Sequence, residues 1–205
     1  MSEVTGGLAA AHARTALVLS LFTVAYNVGE GIVSILFAVR DDSAALLGFG
    51  SDSFVESLSG AAMVWRFWHP HGAHEREQRA ARLVGASCIV LAAYVAYEAV
   101  KALWIGDRPA PSLAALVIAG LSLAVMPTLF VLKHRTAHAI GSRSLLADSR
   151  QTLACTMMSV ALLAGAGLNY AFGAWQGDPI AALVISLFLL REGRDALLTK
   201  EMCAC

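Results

Sequence analysis

Charge is scarce in this chain of 205 residues: Asp, Glu, Lys and Arg make up 15% of it, while 58% is hydrophobic and the mean hydropathy is +0.65. Such a balance leaves too little polar surface to face water on all sides, so the lipid bilayer is the expected solvent. A basic excess is missing as well. The formal net charge is +0, which argues against nucleic acid as a partner, because phosphate binding wants surplus Lys and Arg. Cysteine is sparse: Cys88, Cys155, Cys203 and Cys205 are too few and too badly spaced for a disulfide framework, and free thiols are expected. The start, with Glu3 in a Gly/Ala-rich stretch, has no basic-then-apolar-then-cleavage pattern, so no removable signal peptide is expected. No Ser-His pair or HExxH-type motif lies within the apolar stretches, so an enzyme is not expected and no prosthetic group is called for.

Six apolar stretches are present, at 16–39, 44–65, 83–105, 113–132, 145–172 and 180–198. Each approaches the ~20 residues that a spanning helix needs. Breakers separate most of them: Arg40-Asp41-Asp42-Ser43, His69-Pro70-His71-Gly72, Gly106-Asp107-Arg108-Pro109, the polar run 135–142, and Gly177-Asp178-Pro179. The predicted fold is an all-α integral membrane domain of six transmembrane helices occupying 1–205. The sixth stretch is interrupted by Arg191, Glu192, Arg194 and Asp195, and is expected to leave the hydrocarbon after Leu190 and continue as helix into the headgroup region. Pro127 removes a backbone donor inside the fourth helix and is expected to bend it.

If both termini share one side, twelve of the fifteen Lys and Arg residues fall on that side, Lys133 among them, and Arg40, Lys101 and Arg108 on the other. The positive-inside rule then places both termini in the cytoplasm, as an even number of spans requires, with the plasma (inner) membrane the expected location.

Ionisable residues within spans are costly in hydrocarbon and mark ion or substrate paths. Asp52 and Glu56 of the second stretch lie four apart, which stacks two carboxylates on one helical face. Close negative charges repel unless a cation or protons neutralise them. With no Lys or Arg expected deep in another span, a cation site is favoured over a structural hydrogen-bonded pair. In the fifth stretch Asp148, Gln151, Thr152 and Cys155 form a polar stripe at i, i+3, i+4 and i+7, and Gln151 with Cys155 repeats the four-residue spacing. Two helices with such pairs can close four ligands around one ion in the near-tetrahedral geometry of Zn²⁺, and the sulfur turns the preference away from Mg²⁺ or Ca²⁺.

Glu30, between two glycines and one turn after Asn27, is a candidate for a supporting or proton-carrying role, or for a structural hydrogen bond. Glu98 and Lys101 read as a snorkelling ion pair at a helix end. His69, His71 and His74 are three of the six histidines, gathered beside Glu75 and Glu77. They offer a second candidate metal-capture site, or a solvated loop. Cys203 and Cys205 form a weak soft-ion motif.

These residues together resemble the transmembrane domain of the cation diffusion facilitator family, whose members export Zn²⁺ and related divalent ions in exchange for protons. The resemblance covers 16–198 and rests on Asn27 with Glu30, on Ala45-Leu46-Leu47 leading into Asp52-Ser53-Phe54-Val55-Glu56, on Leu146-Ala147-Asp148 with Gln151 and Cys155, and on Asp178-Pro179-Ile180. It implies a transported ion held by Asp52, Glu56, Gln151 and Cys155, with Asp148 able to join. It also implies a homodimer and a proton antiport in which the divalent metal is substrate. The second pair departs from the family's His/Asp and Asp, which places the choice of metal and the proton coupling in question. The family's cytosolic C-terminal domain has no counterpart in these 205 residues, so a dimer is expected to be held by membrane helices. The rival readings are a zinc-binding membrane protein that regulates a partner without transporting, and a carrier of small organic cations.

Overall fold

The computed structural model describes the backbone of residues 2–68, 74–106 and 108–198, and the side chains of 14–65, 85–86, 88–106, 108–142, 145–195 and 197–198. His69 and His71, the side chain of His74, and Cys203 and Cys205 lie outside the described residues.

The described chain is all-helical. Its six helices are α1 (Ser2–Asp41), α2 (Ala44–Trp68), α3 (His74–Ile105), α4 (Leu113–Ile140), α5 (Arg143–Phe172) and α6 (Gly177–Leu198). Among the described residues, α1, α3, α4 and α5 are apolar and long enough to cross a membrane on composition alone. The other two, α2 and α6, are the helices that carry Asp52 with Glu56 and the Arg191–Asp195 run. Their polar residues lower the average without shortening the rod: at ~1.5 Å per residue, each helix reaches about 30 Å or more.

Local chemistry sets the helix ends. Asp42 takes a left-handed turn at φ 55° after α1, and Ser43 then caps α2, its Oγ accepting from Leu46 N at 3.0 Å. Ser112 caps α4 by accepting from Ala115 N at 3.0 Å. Gly141, left-handed at φ 64°, ends α4, and Ser142 caps α5 immediately afterwards. A side chain at Gly141 would pay for the positive φ that this turn requires.

Successive helices run in opposite directions. At one end the three inter-helix turns interlock. Ser43 Oγ donates to the Asp178 carboxylate, Ala110 N donates to Asp41 O at 3.0 Å, and Asn169 Nδ2 donates to Pro109 O at 3.0 Å. At the other end Ala16 of α1 packs with Ala137 and Leu145, where α4 passes into α5.

The closest helix pairs are α1 with α2, α3 with α6, and α4 with α5, while α2 also touches α3, α5 and α6. Small residues permit the α1–α2 approach. A Cβ at Gly50 would sit 2.6 Å from Ser34 Cβ, and one at Gly31 would sit 3.0 Å from the Gly50 carbonyl. Such small-residue seams let backbones meet where lipid supplies no hydrophobic drive between helices. Phe49, Val95, Met126, Met158, Ile185 and Leu189 fill the common core. Large apolar side chains also cover the outside, among them Leu36, Val39, Trp104, Phe172 and Leu187, a surface suited to hydrocarbon.

One expectation is corrected. Lys133 is not a charge of the loop after the fourth span. Helix α4 continues to Ile140, and Lys133 is buried within it at 0% exposure. The sixth helix continues to Leu198, as expected, with both carboxylate oxygens of Glu192 buried inside. The Glu98–Lys101 pair forms as read, at 3.1 Å on the surface, and Cys88 and Cys155 are free thiols.

Candidate functional site

Helical spacing puts Asp52 and Glu56 one turn apart on the inward face of α2, both at 0% exposure. Residue 53, next in the chain, faces α1: Ser53 Oγ donates to Glu30 Oε2 at 2.9 Å. Tyr26 supports the other oxygen of Glu30, donating to Oε1 at 3.1 Å. Ser122 of α4 adjoins both Tyr26 and Glu30, and Ser159 of α5 donates to Ser122 at 2.9 Å. Glu30 is therefore a well-partnered carboxylate tying α1 to α2 and α4.

A second chain of contacts joins α4, α5 and α2. The Lys133 ammonium pairs with Asp148 Oδ2 at 2.9 Å and donates to Thr152 Oγ1 at 3.0 Å. Thr152 Oγ1 in turn donates to Glu56 Oε1 at 2.7 Å. Asp148 Oδ1 is held by the Ser59 hydroxyl at 3.1 Å. One lysine thus serves two carboxylates, one directly and the other through a hydroxyl. The thiol of Cys155 lies against Glu56, with Asp52 and Glu30 also near it.

Of the fifth-helix stripe, Asp148, Thr152 and Cys155 are brought inside, whereas Gln151 is half-buried at the flank. Thr152, one residue on, is the side chain that reaches Glu56. It belongs to the stripe that the sequence displays. Its role was hidden because hydroxyls are weaker pointers to ions than amides or carboxylates.

Lys133 and Glu192 also belong to this interior, although the sequence sets both within charged runs. Glu192 of α6 lies beside Asp52 across the α2–α6 contact. The available signal was periodicity: Ile185 and Leu189 are fully buried, and position 192 continues that face three residues further.

Charge does not balance within this interior. Glu30, Asp52, Glu56, Asp148 and Glu192 bring five carboxyl groups together, and Lys133 is the cation buried with them among the described residues. Neither oxygen of Asp52 has a hydrogen-bond donor, nor has Glu56 Oε2, nor either oxygen of Glu192. The amide of Asn27 is also buried without partners. An uncompensated carboxylate in such surroundings costs several kcal/mol, so the arrangement calls for protons or a cation. As the side chains stand, no three acidic, thiol or imidazole groups among the described residues are close enough to enclose one metal ion.

Among protein families, the model of the cation efflux transmembrane domain matches residues 16–199, a span that takes in every residue of this interior.

Proposed function

The chain belongs to the cation efflux family of membrane metal-cation transporters, and on that premise we propose that it exports a divalent transition-metal ion, Zn²⁺ foremost with Cd²⁺ and softer ions as alternatives, in exchange for protons. The observation that carries this reading is Asp52, fully buried with both oxygens unpartnered, one turn from a Glu56 that has one oxygen free.

These two carboxylates supply the charge that holds the ion, and Cys155 adds a soft ligand beside Glu56. Small side-chain rotations gather the ligands around the ion. Thr152 and Lys133 orient Glu56, and Asp148 balances Lys133. Gln151 stands by at the flank of α5, and Glu30 carries or stores protons. Protons compete with the metal because protonation removes the charge that binding uses. Alternating access then exposes the interior to each side in turn. The working form is a homodimer joined through membrane helices, with cytoplasmic termini, in the plasma membrane. The His69, His71 and His74 cluster captures metal on the cytoplasmic face.

Proteoliposomes under an imposed pH gradient test this reading, with Zn²⁺, Cd²⁺ and Mn²⁺ uptake compared for the wild type and Asp52→Ala. Gradient-dependent uptake that vanishes in the variant is the expected result. Binding without movement would replace the transporter with a zinc-binding protein that regulates a partner.

A further inference from the structure

The inward turn of Glu192 has no explanation in the site just described. Its helix neighbours Arg191, Arg194 and Asp195 are exposed, and Arg194 pairs with Asp195 at 3.5 Å rather than with Glu192. A glutamate near a helix end ordinarily extends toward water or an arginine. Here both oxygens are buried with no partner but the carboxyl group of Asp52, which has none besides Glu192.

Close packing of α3 and α6 holds the carboxylate in place. Gly193 has no room for a side chain: a Cβ there would meet the Gly85 carbonyl at 2.7 Å and Cys88 Cβ at 3.0 Å. That approach also brings the buried Cys88 thiol into the neighbourhood of Asp52 and Glu192. Two facing carboxylates present four oxygens. A shared proton engages two of them and leaves two bare, whereas a divalent ion can draw ligands from both groups at once.

We propose that Glu192 and Asp52 form a second position for the transported divalent metal, on the α3–α6 side of the first, with the Cys88 thiol adjoining it. Asp52 belongs to both positions, so the ion passes between them by exchanging Glu56 and Cys155 for Glu192 while one ligand never lets go. This inference rests on the transport reading above, because the ion concerned is the one transported.

The test uses the reconstituted full chain and measures equilibrium binding and uptake of Cd²⁺ and Zn²⁺ for the wild type, Glu192→Gln and Glu192→Asp. The expected result is a loss of affinity and of uptake in E192Q of about tenfold or more, as loss of a metal-site group brings, with E192D recovering much of both. E192Q that binds and transports like the wild type overturns the second position and leaves the transport reading intact. A wild type that moves no metal overturns the transport reading first, and this inference with it. A readout that needs no variant is cadmium anomalous density in crystals of the wild type. Density between Asp52 and Glu192 supports the proposal, and density confined to Asp52, Glu56 and Cys155 sinks it.

Discussion

Lys133 of α4 and Asp148 of α5 meet at 2.9 Å with neither side chain open to solvent. The pair does more than join two helices, because the same ammonium reaches Glu56 of α2 through the Thr152 hydroxyl. Three helices therefore share one buried positive charge, and removing it leaves two carboxylates with hydroxyl donors but no neutralising charge.

Substituting Lys133 by Met is expected to destabilise the protein by about 3–5 kcal/mol, since a buried partner left alone keeps its full desolvation cost. Adding Asp148→Asn should recover most of that loss. Thermal unfolding of the single and double variants in detergent checks both, and additive losses would show that the two residues do not act as a pair.

Thr152→Val removes the hydroxyl between Lys133 and Glu56 at nearly constant volume. The expected cost is about 1–3 kcal/mol for the polar groups left unsatisfied, together with weaker Zn²⁺ binding because Glu56 is no longer held. Calorimetric titration separates the two effects, and unchanged affinity would mean that Glu56 needs no such orientation.

Acidification is expected to weaken metal binding, because protons and the ion compete for the same carboxylates. The slope of log affinity against pH counts the protons released, and a value of about one to two is expected for Asp52 and Glu56 together. Titrations in buffers of different ionisation enthalpy give the same count independently. A flat profile would remove proton exchange from the mechanism.

Cys155→Ser should lower the preference for Cd²⁺ over Zn²⁺, since the hydroxyl is the harder donor. Competition binding of the two metals measures the ratio. A ratio that does not move identifies Cys155 as a packed small residue rather than a ligand.

Much of the fold was legible because lipid imposes long apolar runs, and the breakers at Asp42 and Gly177-Asp178-Pro179 mark real ends. Asp52 and Glu56 were legible for the same reason: carboxylates stand out against hydrocarbon, and a four-residue spacing fixes their common face. Lys133 was not, because His134 and Arg135 follow it and the triplet looks like a loop. Gly141, six residues beyond Arg135, is where the helix stops. Glu192 was obscured in a similar way by Arg191 and Arg194, whose side chains face outward from the same turn. In both cases a run of charges concealed one member pointing the other way, and hydropathy averages over the run. Only the direction of each side chain around the helix distinguishes them.

The glycine seam between α1 and α2 constrains how this interior can rearrange. With Gly31 and Gly50 in near contact with the opposing backbone, the two helices have no layer of side chains to deform, and the Ser53–Glu30 bond pins them again one turn further along. The two helices are thus joined as one unit. The seam therefore fixes the register of Glu30 on α1 against Asp52 and Glu56 on α2.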